Sequence, residues 1–359
     1  MDLSSNRKLR LGLVGLGKMG MLHLNLLKFI DGVVLESAAD KNQRNLEKAE
    51  KLGVKKLFSD YRDMYEKVEL DAVIIALPHF MHEEAVILAA EKGFNIFVEK
   101  PLGRTVKECK NMLKAVERNN VKLCVDHNYR FFKNVEKLKR MYDNGYIGEV
   151  SLFTSANVTG GPFSIPLFSE DWWIQPELSG GGVLIALGPH LIDLFEWFFG
   201  KTTVLSAALS SRFSVDFEDT ASITVKSRNT GTIGTINVGW FERAAFSKFD
   251  FYVRLHGTGG CISTDDLGPK SLFVNAAKEG MKNVIRRILG RKIYPMSIQY
   301  FPHSYYVILI KFLESIIEDT EPPVNGRDGL KTIEIIEDAY KIAGVNYLGD
   351  VQGKYCQSK

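Results

Sequence analysis

The sequence predicts an α/β fold in two parts, an N-terminal domain on a doubly wound parallel sheet and a C-terminal α+β domain with a large, mostly antiparallel open sheet. Three observations predict it. From Leu9 to Asn128, short β-branched runs alternate with helical stretches, the rhythm of βαβ units. Three glycines, Gly15, Gly17 and Gly20, follow the first run and open a helical segment. After about residue 149 the pattern changes to long alternating segments separated by Gly, Asn and Asp. A chain of 359 residues suggests about two domains, and the boundary is placed between residues 128 and 129, giving 1–128 and 129–359.

The strands of the first part are LRLGLV, VVLESAAD, DAVIIALP, NIFVEK and VKLCVDHN, with helical stretches such as EEAVILAAEK between them. Thr105 with Glu108 has capping-box spacing, and Val106, Cys109, Met112, Leu113 and Val116 recur at helical intervals after it. In the second part EVSLFTSANV, TVLSAALSSRF, TASITVKS, TGTIGTINVGW and KFDFYVRLHG read as strands. Helices near Val183–Phe199, Ser304–Ile317 and Leu330–Ala343 could cover one face of that sheet.

Composition narrows the classes. With 45% hydrophobic and 25% charged residues the chain is neither disordered nor collagenous. A net charge of +3 is too balanced to favour nucleic acid. Cys109, Cys124, Cys261 and Cys356 have no zinc-ribbon spacing and suggest no disulfide framework, so a reducing cytoplasm is expected. The polar start MDLSSNRKLR lacks a secretory pattern, and the longest apolar stretch, Gly182 to Gly200, is interrupted by Pro189, His190, Asp193 and Glu196. No membrane partner is expected.

Gly15-Leu16-Gly17-Lys18-Met19-Gly20 is a G-x-G-x-x-G between strand and helix. The first glycine permits the tight turn, the second admits a pyrophosphate to the backbone, and the third lets helix and strand pack closely. The helix N-terminus adds N–H donors and partial positive charge. Asp40, twenty residues after Gly20 at the end of the second strand, suits the adenosine ribose hydroxyls and repels a 2′-phosphate. Together these predict a Rossmann domain binding NAD; Lys41 and Arg44 lie close enough to leave NADP open.

Further landmarks follow in order: Leu77-Pro78 and His82 after the fourth strand, Glu99-Lys100-Pro101 closing the fifth, and Asn128-Tyr129-Arg130 after the sixth. Then come Asp171-Trp172, Gly180-Gly181-Gly182-Val183-Leu184 and Gly188-Pro189-His190-Leu191-Ile192-Asp193. This series resembles the Gfo/Idh/MocA oxidoreductases from about Leu9 to Ala343. The resemblance implies a nicotinamide enzyme oxidising a ring hydroxyl of a sugar, nucleotide sugar or cyclitol, or reducing the corresponding ketone. It implies that Ala76, Leu77, Pro78, His82, Glu99, Lys100 and Asn128 join Gly15, Gly17, Lys18, Met19, Gly20, Asp40 and Lys41 around the cofactor. Lys100 would carry the proton, supported by His190, with Arg130, Asp171 and Trp172 also beside the substrate. Lys100 stands at the carboxyl end of a parallel strand, where ligands of open α/β sheets bind, and a desolvated ammonium there should have a lowered pKa.

The sequence departs from the family at Ala186, four residues before His190, where an aspartate is common; a methyl group cannot accept a proton. Trp173 stands where the family often has arginine. Ala186 also gives weight to an alternative, a noncatalytic dinucleotide-binding regulator with the same fold. The run MKNVIRRILGRK could be an amphipathic face touching a membrane surface or a diphosphate clamp for a nucleotide sugar, and is read first as a solvated basic helix face; His79 and His82 lack a third zinc ligand, so no metal is expected. The long open sheet suits face-to-face pairing into a homodimer or homotetramer.

Overall fold

The computed structural model describes residues 8–161, 171–212, 215–241, 250–268, 272–291, 293–294 and 301–348. The first part contains β1 (Leu9–Val14), α1 (Lys18–Leu27), β2 (Val33–Ala39), α2 (Gln43–Lys51), β3 (Lys56–Phe58), α3 (Tyr61–Lys67), β4 (Ala72–Ile75), α4 (His82–Glu91), β5 (Asn95–Val98), α5 (Val106–Arg118) and β6 (Leu123–Val125). The strands form one parallel sheet in the order β3-β2-β1-β4-β5-β6. Every residue of β4 and β6 is buried, as expected of strands covered on both faces. The strand order reverses between β1 and β4, and the crevice beyond their carboxyl ends is where such sheets take ligands. β3, three residues long, is too short to show a pattern and is missing from the runs read as strands.

The second part adds α6 (Lys133–Asp143), β7 (Val150–Gly160), α7 (Pro176–Ser179), α8 (Val183–Phe199), β8 (Thr202–Ser210), β9 (Thr220–Ser227), β10 (Ile233–Phe241), β11 (Asp250–Gly257), β12 (Gly260–Ser263), α9 (Thr264–Leu267), α10 (Leu272–Ile288), α11 (Phe301–Ile317) and α12 (Gly326–Ile342). Its sheet runs β12-β11-β7-β10-β9-β8, and every neighbouring pair is antiparallel except β7 with β10. The alternating burial of β9 marks one covered face, and α8 packs on β7, β9 and β10. By length and hydropathy the stretch Pro176–Phe199 could cross a membrane, but 94% of its apolar window is buried inside the protein, the setting of a core helix.

α11 and α12 return to the first part. α11 packs on α1 and β5, and α12 packs on α5 and β6 as well as on α8 and β8. Val125 donates its N–H to the Val324 carbonyl at 3.0 Å, and Cys124 forms a bridge with Asn325, so the edge of the parallel sheet is covered. α12 begins at Gly326, earlier than its periodicity suggests, because the Asn325 side chain accepts from the N–H groups of Arg327 and Asp328 and starts the helix in a polar turn. Thr105 caps α5 by accepting from Glu108 N–H, but the Glu108 carboxylate turns back to Arg104 rather than closing a capping box.

Candidate active site

The glycine loop is built for close backbone approach. Gly15 has φ +85°, and a Cβ on it would lie 2.3 Å from the Ala76 carbonyl oxygen. A Cβ on Gly20 would lie 1.9 Å from the Gly15 carbonyl oxygen, so no larger residue fits without moving the loop. Gly17, the N-cap of α1, makes no side-chain cap hydrogen bond, and the helix opens at Lys18 and Met19. Backbone N–H groups and the helix dipole at a helix start suit a diphosphate. Asp40 has a task the sequence does not reveal: its Oδ2 accepts from Leu16 N–H at 2.6 Å and its Oδ1 from Asn42 N–H at 2.7 Å. The carboxylate therefore pins the loop while keeping lone pairs for ribose hydroxyls. Lys41 beside it is exposed. These features fit a dinucleotide.

Lys100 lies two residues beyond the end of β5, and the peptide to Pro101 is cis. Its Nζ donates to the Ala186 carbonyl oxygen at 2.8 Å, across 86 residues of sequence. Burial lowers the lysine pKa, while the carboxylates of Glu99 and Asp126 pull the other way. His190, on α8 one turn after Ala186, is 4% exposed and stacks on Tyr129 with ring centroids 3.8 Å apart. Its pKa is pushed well below the usual histidine value by burial, then by the charges of Lys100 and His127. The first sheet thus supplies the amine and α8 supplies the carbonyl and the imidazole.

What holds α8 in place is Glu218, a residue the sequence does not flag. Its carboxylate accepts from Gly182 N–H at 3.1 Å and from Leu184 N–H at 2.9 Å, and its own carbonyl accepts from Val183 N–H. Tyr340 on α12 donates to the same carboxylate at 2.8 Å. A Cβ on Gly182 would lie 2.0 Å from the Glu218 carbonyl oxygen, which explains the glycine run before the helix. A carboxylate buried at a helix N-terminus is favoured by the helix dipole and by the orphan N–H groups.

The remaining expected residues divide. His82 is buried, and its ring nitrogens face the carbonyls of Leu77 at 2.9 Å and Pro101 at 3.0 Å, so it ties the loop after β4 to the loop after β5. Pro78 precedes a short 3-10 turn from His79 to Met81. His79 meets the Ser179 carbonyl at 2.7 Å and packs edge-on against Trp172 and Trp173. Trp172 stacks on Trp173, while Asp171 is exposed, which does not suit it to stand in for the missing acid at position 186.

Two of the expected residues are also engaged in the fold. Arg130, expected beside the substrate, is 7% exposed and pairs through Nε and Nη2 with both oxygens of Asp193, at 2.7 and 2.6 Å. Nη2 also lies 3.3 Å from Asp328, so the guanidinium is committed to holding α8 and α12 together. Asn128, expected at the cofactor, is fully buried and donates to Ser304 Oγ on α11 at 2.8 Å.

Behind Lys100 the fold assembles a group that no motif announces. His23 Nε2 on α1 lies 2.9 Å from Glu99 Oε1 and 3.6 Å from Asp126 Oδ2, and all three side chains are buried. Burial and the neighbouring Glu99 carboxylate raise the Asp126 pKa well above the usual range, so these acids resist ionising together. The only sequence signal was a charged residue closing each of two fully apolar strands.

Comparison with known proteins agrees with this geometry. Residues 9–127 match the model described as oxidoreductase family, NAD-binding Rossmann fold, and residues 135–263 match the GFO/IDH/MocA C-terminal domain. The myo-inositol 2-dehydrogenase of Thermotoga maritima is 27% identical over 331 residues, covering 89% of this chain and 92% of the relative. The crystal structure of scyllo-inositol dehydrogenase from Lactobacillus casei with bound NAD(H) and scyllo-inositol superposes with a TM-score of 0.76 at 21% identity, covering 94% of this chain and 97% of that one. The WlbA dehydrogenase of Bordetella pertussis, in complex with NADH and UDP-GlcNAcA, gives 0.77 at 22% identity, covering 94% and 97%.

Proposed function

Because this chain belongs to the oxidoreductase family with an NAD-binding Rossmann fold and a GFO/IDH/MocA C-terminal domain, we propose that it oxidises a ring hydroxyl of a sugar, nucleotide sugar or cyclitol, or reduces the corresponding ketone. NAD, when bound, supplies the hydride acceptor. Gly15, Gly17, Lys18, Met19 and Gly20 with the start of α1 would hold its diphosphate, and Asp40 its adenosine ribose. Ala76, Leu77, Pro78 and Glu99 follow the ends of β4 and β5 and would border the nicotinamide half.

The observation that carries the reading is the half-buried Lys100 amine beyond the carboxyl end of β5, donating to the Ala186 carbonyl and with its pKa lowered by desolvation. Lowering the lysine pKa favours its taking the hydroxyl proton as the carbonyl forms, and the ammonium produced can rest on the Ala186 carbonyl. His190, neutral by burial, can donate to or accept from the reacting oxygen. Trp172, which packs edge-on against His79, and Asp171 would stand on the substrate side of the site.

Replacing Lys100 by Met tests this. Turnover of a responsive polyol should fall by about 10² to 10⁴, while NAD affinity stays within about twofold of the parent; undiminished turnover would overturn the role of Lys100. Absence of turnover across sugars, nucleotide sugars and cyclitols, with tight NAD binding, would favour the regulator, for which Ala186 speaks. We infer also that the outer face of the second sheet pairs copies of the chain, since Leu152 and Ile233 are neighbours across β7 and β10 and both are exposed. A monomer by sedimentation at micromolar concentration would exclude that.

A further inference from the structure

α10 departs from the solvated basic face expected of it. Met281, Val284, Ile285, Ile288 and Leu289 are 66%, 57%, 51%, 78% and 59% exposed, five apolar side chains recurring three and four residues apart. Leu289 N–H still bonds to the Ile285 carbonyl, so the helical path continues through it. The opposite face is anchored. Asn283 donates to the Tyr294 carbonyl at 2.7 Å and accepts from Tyr294 N–H at 3.2 Å, and the Arg286 guanidinium lies 4.7 Å from the Tyr294 ring centroid. Tyr294 in turn packs edge-on against Tyr306 of α11. At about 100° per residue, the apolar stripe centres opposite Asn283 and Arg286. Lys282 borders one edge of it and Arg287 flanks the other, while Arg291 follows the helix end, which Gly290 closes at φ +62°.

We propose that α10 docks the protein on an anionic membrane surface, with the stripe entering the boundary between headgroups and acyl chains. An apolar stripe edged on both sides by Lys and Arg is the pattern of a helix lying in that plane, because long basic side chains can bury their stems while their charges meet lipid phosphates. Pairing with a second copy would set Lys282, Arg287 and Arg291 against their own kind. A nucleic acid would meet the charges and leave the stripe in water. Glu279 is the acidic residue on this helix, and it is already paired with Lys282 at 3.0 Å.

The full chain should be retained by vesicles of phosphatidylcholine mixed with phosphatidylglycerol, and not by phosphatidylcholine alone, with retention falling as salt rises. Ile285→Glu with Ile288→Glu should abolish retention. Arg287→Gln and Arg291→Gln should each weaken it by about fivefold, and all these variants should keep the parent's thermal midpoint and NAD affinity because the positions are exposed. No retention by the mixed vesicles would overturn the proposal. So would retention that the glutamate pair leaves unchanged, or a parent oligomer that the glutamate pair dissociates while the vesicles capture nothing. Should the glutamate pair unfold the chain, the glutamine variants and the salt dependence decide alone. None of these readouts depends on Lys100 chemistry.

Discussion

The Nζ of Lys100 rests 2.8 Å from the main-chain carbonyl of Ala186, at the position where the family resemblance leads one to expect an aspartate side chain. A carbonyl dipole takes the place of a charge. It can orient the ammonium without accepting its proton, which leaves burial as the first influence on the lysine.

Ala186→Asp should therefore restore a charge partner on the same helix face as His190. An opposite charge at short range raises a lysine pKa by about one unit or more. The amine must be neutral to accept the hydroxyl proton, so the rising limb of kcat/KM for alcohol oxidation should move to higher pH. A pH profile whose limb stays in place would show that position 186 does not reach Lys100.

Gly20→Ala should damage the dinucleotide loop specifically. Its methyl would meet the Gly15 carbonyl oxygen at 1.9 Å, and relieving that contact costs about 1 to 3 kcal/mol. Isothermal titration should find NAD affinity reduced at least about tenfold; unchanged affinity would mean the loop yields without cost.

Asp193→Asn should unfold the protein more easily rather than change its chemistry. Arg130 and Asp193 side chains are 8% and 1% exposed, and breaking a buried pair from one side costs up to about 3 to 5 kcal/mol, reduced here because Asp328 stays 3.3 Å from the guanidinium. Urea unfolding should show the loss, and KM for substrate should be almost unaltered. A raised KM at parental stability would return Arg130 to the substrate.

Stability should decline on the acid side for a stated reason. His79, His127 and His190 are buried and hold pKa values below the ordinary one, chiefly through desolvation. Their contribution is complete above about pH 6.5 and is lost as pH falls through the folded-state values, at about 1.4 kcal/mol per pH unit for each histidine. Asp126 runs the opposite way: its raised pKa contributes stability at low pH that is lost as pH rises through the folded value. His127→Leu should flatten the acid slope by one histidine's share in urea titrations between pH 5 and 7; an unaltered slope would show that His127 titrates normally.

The parallel sheet was legible because strands covered on both faces read as uninterrupted apolar runs, and the glycine loop because its spacing reflects backbone contact. The position of Lys100 just beyond a strand end was legible, whereas its bond to the Ala186 carbonyl and the pairing of Arg130 with Asp193 were not, because each joins segments far apart in the chain. Glu218 was not legible: it caps α8 from 36 positions away, and local spacing carries no trace of that. The group of His23, Glu99 and Asp126 was hidden for the same reason, since α1, β5 and β6 converge only when the sheet forms. α10 misled differently. Its periodicity was plain, but periodicity cannot tell a packed apolar face from an open one.

The hydrogen bond from Val125 to the Val324 carbonyl also orders events during synthesis. β6 can pair with β5 early, yet its outer edge stays open until almost 200 further residues have been made. Contacts so distant in sequence form slowly. A nascent chain therefore emerges with an unfinished sheet that could pair with a neighbour's, and shielding that edge is a task for a chaperone until α12 arrives.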